Sequence, residues 1–213
     1  MNPAQTIAQT LDRHLTQRTE VVVFGAAALL LDKAFAVRMP GRKTNDIDII
    51  IPSHREMQIE ADRNFWKALE ATNHELKRQG LYITHIFAER QVALTPEWKQ
   101  HTVALPQDGL AKLRLQRPRV LDLAVSKMGR GDAQDVDDVR NMLRLHREIT
   151  GVTISAAEVA DAARRAHVPD DYREIFPRAC ERIVAAVREM EIVPPPTPHV
   201  RPPRQGPGYR IGF

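Results

Sequence analysis

Residues 21–31 read VVVFGAAALLL and residues 42–51 read RKTNDIDIII; the placement of these two stretches decides the fold. Glu20 to Phe24 is apolar and β-branched, the pattern of a buried strand. Gly25 breaks it, and Ala26 to Phe35 continues as a helix of small and aliphatic residues. Pro40 and Gly41 mark a turn. Ile47 to Ile51 is a second strand, closed by Pro52. Side chains two apart on a strand share a face. Asp46 and Asp48 therefore project together where that strand begins, with Ile47 on the opposite face.

Working outward, Ile7, Leu11 and Leu15 recur at helical spacing within residues 3–17. Ser53 with Glu56 has the spacing of a capping box, opening a helix that runs to about Gln79 and stops at Gly80. Leu81 to Ala88 and Gln91 to Leu94 read as a hairpin or strand pair, with Trp98 and Val103 to Leu105 following. From Asp108 onward the strand pattern disappears, and helices are expected near 108–115, 119–128, 132–147, 155–167 and 177–191. Residues 193–213 carry Pro194-Pro195-Pro196 near their start and Arg201, Arg204 and Arg210 beyond, and lack apolar periodicity, which predicts an extended or disordered tail. The expected class is α+β: a small mixed-sheet core over residues 1–107, a helical region over 108–192, then the tail.

Composition narrows the function classes. The single cysteine, Cys180, excludes an internal disulfide framework and fits a reducing compartment. The amino terminus lacks a signal peptide's apolar core, and the run from Val21 to Leu31 is too short to cross a bilayer. A cytoplasmic protein without membrane contact is expected. The net charge of +4 is a mild basic bias, compatible with polyanionic partners and equally with an ordinary soluble surface.

Two carboxylates so close repel one another unless a cation shares them, and a hard divalent ion such as Mg²⁺ suits them while also holding phosphates. Taken alone, the pair also reads as solvated carboxylates ahead of a strand. Upstream, the strand–Gly25–helix turn brings backbone N–H groups towards an anion, and Gly25 allows close approach. Arg42, Lys43 and Thr44 enter the carboxylate strand, placed either to meet phosphates or to remain solvated. Further on, Lys127 and Arg130 lie three apart, Asp132 is a natural N-cap, and Asp135 and Asp138 share one face of the helix behind it. That basic pair and acidic pair either hold a triphosphate or pin two helices as a salt-bridge cluster.

Strand, Gly25-Ala26, helix, basic turn and Asp46-Ile47-Asp48 together resemble the DNA polymerase β-like nucleotidyltransferase superfamily. More narrowly, FGAAALLL…RKTNDIDIII and LPQDGLAKLRLQRPRVLDLAVSKMGRGDAQDVDDV are similar to the nucleotidyltransferase-like families related to the AbiEii toxins, of DUF6036 type. The resemblance covers roughly residues 20–145. It implies Mg²⁺ on Asp46 and Asp48, an NTP substrate and an RNA or protein acceptor. It also implies a cognate toxin or antitoxin partner, in toxin–antitoxin or phage-defence biology. Lys127 and Asp135 carry over with Asp46 and Asp48 as catalytic-site residues; Gly25, Ala26, Arg42, Lys43, Thr44 and Arg130 carry over as nucleotide-binding residues.

Two positions depart from the superfamily pattern. Ala26 stands where a serine or second glycine is usual, and LYITHIFAERQVAL offers Thr84 and His85 where a third carboxylate is expected, with Glu89 in the turn beyond. A non-catalytic nucleotide or RNA sensor, or a toxin-neutralising partner, on a degenerate scaffold is therefore the alternative. A third reading is a basic nucleic-acid-binding protein acting through its helical half and tail.

Overall fold

β1 (Thr19–Phe24) is the central strand of a five-stranded sheet in the computed structural model, which describes residues 2–192. Its neighbours are β2 (Asp46–Ile51), antiparallel, and β5 (Leu113–Arg117), parallel. β3 (Tyr82–Ala88) runs parallel to β2 at one edge, and the two-residue β4 (Val103–Ala104) lies antiparallel to β5 at the other. The order is β3-β2-β1-β5-β4, a mixed sheet as expected for an α+β core.

The two faces of the sheet are covered differently. Val21 and Val23 of β1 and Ile47, Ile49 and Ile51 of β2 join the main helical core. That core includes α1 (Pro3–His14) and α5 (Arg63–Leu76). Val22 and Ile50 face the other way, against a small cluster made by Val92, Leu94 and Trp98. By strand alternation Asp46 and Asp48 lie on this second face, beyond the end of that cluster. The carboxylates thus stand where the apolar cover stops.

The helical pattern of the first half is interrupted where side chains take over backbone N–H groups. α2 (Gly25–Leu30) and α3 (Lys33–Ala36) replace one continuous helix, because Asp32 caps Ala34 N–H at 3.0 Å. Likewise α4 (Glu56–Ala61) is separated from α5 by Asp62, which caps Asn64 and Phe65. The expected capping box at Ser53 does not form. Its hydroxyl and its N–H both donate to Glu89, each at 2.8 Å, and residues 53–55 make a single 3₁₀ turn.

Two expectations fail outright. Residues 108–115 are not helical, since β5 occupies 113–117, with Leu113, Leu115 and Arg117 buried in alternation. The Asp12 carboxylate accepts from the N–H groups of Ala111, Lys112 and Leu113, fixing the start of that strand beside β1. Residues 91–94 do not pair with β3, whose partner is β2. Gln91 closes an exposed 3₁₀ turn, and 92–94 form a buried loop in which Val92 and Leu94 pack on the sheet and Leu94 O accepts from His167 N at 2.9 Å.

The second half is helical, as the periodicity predicts. It comprises α6 (Val120–Ser126), α7 (Ala133–Thr150), α8 (Ala156–Arg165) and α9 (Phe176–Ile192). Asp132 caps α7, accepting from Asp135 N at 2.8 Å. The turn before it packs closely on α9: Gly131 has φ +59°, and a Cβ there would fall 2.1 Å from Ala179 Cβ. The expected tail at 193–213 lies outside the described residues. Among the described residues no helix is long and apolar enough to cross a membrane.

Candidate functional site

A cleft of about 390 Å³ opens over the exposed end of β1 and β2. Asp46 and Asp48 line it from β2, with Gly25 and Ala26 from the β1–α2 turn. Gly25 has φ +67°, a conformation L side chains seldom adopt, and a Cβ on it would lie 3.4 Å from Asp48 Oδ2. The positive φ is what lets the chain turn from β1 into α2 directly against that carboxylate. Ile47, between the two aspartates, is only 3% exposed on the opposite face.

Each carboxylate has a local orienting contact. Thr44 donates its hydroxyl to Asp46 Oδ1 at 2.6 Å. Asp48 Oδ1 accepts from Thr84 at 3.1 Å and lies 3.3 Å from His85 Nδ1. Both reach the same oxygen because β3 slips in register: Ile47 is opposite Ile83, yet Asp48 is opposite His85. The extra residue is a bulge. It turns His85 and Phe87 to the cleft and leaves Ile83 and Ile86 on the core face. The His85 ring stacks on Phe87 at 5.2 Å. Burial, and then the charge of Asp46, push the Asp48 carboxyl above its ordinary pKa. A cation between the two would relieve both effects.

The opposite wall is cationic and comes from the helical half. Lys127 follows α6, and its Nζ lies 2.9 Å from both Asp135 Oδ1 and Asp138 Oδ2. Arg130 binds Asp135 through Nε and Nη2 at 3.2 and 3.0 Å. Asp135 itself is fully buried. Burial alone would raise its pKa, but Arg130 and Lys127 outweigh it and hold the carboxyl below its usual range. Asp138 also takes Arg42 Nη2 at 2.6 Å, tying the loop before β2 to α7.

The cleft therefore gathers Gly25, Ala26, Arg42, Thr44, Asp46, Asp48, Lys127 and Arg130. Lys43 is exposed and is not among the lining residues. Asp135 stands behind Lys127 and Arg130 and orients them. Glu89 faces away from the cleft, holding Ser53, Trp98 and Lys99. Tyr172, between α8 and α9, lines the cleft without any sequence motif to mark it. Its ring lies against Gly129, where a Cβ would come within 3.1 Å.

Among the described residues no group of three or more His, Cys, Asp or Glu side chains is arranged to hold a metal ion. A pair of hard oxygen donors still fits Mg²⁺, which commonly takes one or two carboxylates and leaves its remaining positions to water and phosphate.

No curated protein and no solved structure matches the chain. A family model described as "Nucleotidyltransferase of unknown function (DUF6036)" matches residues 4–154, a span that includes every cleft residue named above except Tyr172. The chain belongs to this family of nucleotidyltransferases.

Proposed function

We propose that the protein transfers a nucleotidyl group from an NTP to a hydroxyl on an RNA or protein acceptor, using Asp46 and Asp48 to hold Mg²⁺. The observation that carries this reading is the shared cleft, with two carboxylates and a close-packed glycine on one wall and Lys127, Arg130 and Arg42 on the other. The metal, when bound, would neutralise phosphate charge and favour displacement at the α-phosphorus. Lys127, Arg130 and Arg42 would bind the polyphosphate. The acceptor oxygen would bond to the α-phosphorus as the bond to the bridging oxygen breaks and pyrophosphate leaves. His85 is placed to take the acceptor proton. With Nδ1–H directed at Asp48, its Nε2 is left as an acceptor on an imidazole that is 64% exposed. Membership of the wider polymerase β-like superfamily, kinship with the AbiEii toxins and a role beside a cognate toxin or antitoxin belong to the same proposal.

One observation favours a second reading. The residues facing Asp48 from β3 are Thr84 and His85, and Glu89 is committed elsewhere, so a carboxylate-poor site that binds NTP or RNA without turnover is the alternative.

The test is incubation of the purified protein with Mg²⁺ and each labelled NTP, with total RNA and cell lysate as acceptors, beside the Asp46→Asn/Asp48→Asn variant. Label on RNA or protein with the wild type alone supports transfer. NTP binding by calorimetry without label supports the sensor reading. Neither label nor binding rejects both.

A further inference from the structure

A second cavity of about 230 Å³ adjoins the cleft, and Gly25, Ala26, Arg42, Lys127 and Asp138 line both. On this shared partition the side chains of Arg42, Lys127 and Asp138 are ion-paired. Asp138 presents one oxygen to each cation: Oδ1 to Arg42 at 2.6 Å, Oδ2 to Lys127 at 2.9 Å. Its side chain is only 14% exposed.

Local structure does not require this convergence. Lys127 already has a fully buried counter-ion in Asp135, and Arg42 comes from a loop 96 residues away in sequence. Asp138 is Arg42's one ion-pair partner among the described residues. Two oxygens of one anionic group, each meeting a different cation beside a carboxylate pair suited to Mg²⁺, is also how a substrate phosphate would be held there.

We infer that Asp138 is an internal placeholder for phosphate, a specificity-determining residue that makes the cleft select polyphosphates over singly phosphorylated molecules. The inference rests on the reading of the cleft as an NTP site. A lone phosphate entering the partition exchanges one set of charge-assisted bonds for an equivalent set. The exchange also leaves Asp138 without its two cations, so a lone phosphate gains little. A triphosphate is anchored elsewhere in the cleft as well. Its phosphate then competes with Asp138 at high effective concentration and displaces it.

The experiment is calorimetric titration of full-length wild type and Asp138→Asn with inorganic tripolyphosphate and with orthophosphate, both in Mg²⁺. The variant should bind orthophosphate about tenfold more tightly than the wild type does, and tripolyphosphate by a smaller factor, so that the selectivity narrows. A purely structural Asp138 would lower the melting temperature with no gain in affinity, and that result overturns the inference. If the wild type binds tripolyphosphate and the variant keeps the same selectivity, the inference alone fails. If the folded wild type binds neither ion, the polyphosphate reading of the cleft fails and takes the inference with it. Should Asp138→Asn not fold, the ¹³C carboxyl resonance of Asp138 in the wild type replaces it. That resonance should shift with tripolyphosphate and hold still with orthophosphate; a resonance unmoved by bound tripolyphosphate is the contrary result.

Discussion

Thr84 donates its hydroxyl to Asp48 Oδ1 at 3.1 Å across the slip in register between β2 and β3, and the same slip brings His85 to that oxygen. If His85 takes the acceptor proton, its loss should act on turnover and leave nucleotide binding nearly intact. His85→Ala is expected to lower kcat by about 10²–10³ while the KM for NTP changes little. Steady-state kinetics with the acceptor found in the labelling experiment would measure both, and an unchanged kcat would remove His85 from the chemistry.

Burial and the neighbouring Asp46 raise the Asp48 pKa. A carboxyl whose folded pKa lies above its unfolded value destabilises the fold once pH exceeds the unfolded value, and the penalty disappears at lower pH. Asp48→Asn should therefore melt higher than wild type at pH 7. At pH 3 the two should coincide. Transfer should be abolished throughout. A variant that melts lower at both pH values would show that the carboxylate contributes structure rather than strain.

Glu89 behaves in the opposite sense. Burial works to raise its pKa, but Lys99, Ser53 and Trp98 outweigh this and lower it from 4.5 to about 2. Its contribution is present in full above the unfolded pKa and is lost as pH falls towards about 2. Glu89→Gln should cost about 1–2 kcal/mol at pH 7, after allowance for solvent screening, with the difference shrinking below pH 4.5. Urea denaturation across pH 2.5–7 reads this directly; a pH-independent difference would contradict it.

Gly131 and Gly151 separate strain from collision. Both have positive φ, +59° and +74°, but a Cβ on Gly151 meets nothing within 4 Å, whereas one on Gly131 meets α9 at Ala179. Gly151→Ala should cost about 1 kcal/mol, the price of φ alone. Gly131→Ala should cost more than about 3 kcal/mol, since α7 and α9 must separate. Equal losses in chemical denaturation would mean that this contact yields easily.

Much of the site is legible because it is encoded locally. A strand, a glycine and a pair of aspartates two apart fix the carboxylates and the turn over them without reference to the rest of the chain. Helical spacing likewise places Lys127, Arg130, Asp135 and Asp138 on facing surfaces. Which aspartate meets the cleft is not local: Asp138 is drawn there by Arg42, while Asp135 is buried behind Lys127. β5 escapes a sequence reading because Leu113-Arg114-Leu115 is short and its stabilising partners, Asp12 and β1, lie about a hundred residues upstream. Ser53 has the capping spacing yet spends its hydrogen bonds on Glu89. The bulge did leave a trace. Ile83 and Ile86, both on the core face, are three apart rather than two, which a regular strand does not allow.

The parallel pairing of β1 with β5 has a bearing on biosynthesis. β1 acquires its antiparallel partner β2 within about thirty residues of synthesis, whereas β5 is made only when residues 113–117 leave the ribosome. Until then one margin of β1 offers unsatisfied amide and carbonyl groups beside Val21 and Val22, a template for pairing with another nascent chain. Long-range parallel contacts of this kind form late and slowly. Asp12, made early, accepts from three successive N–H groups of that strand once it arrives. Removing that carboxylate should show first as aggregation during expression, before it shows as lost activity.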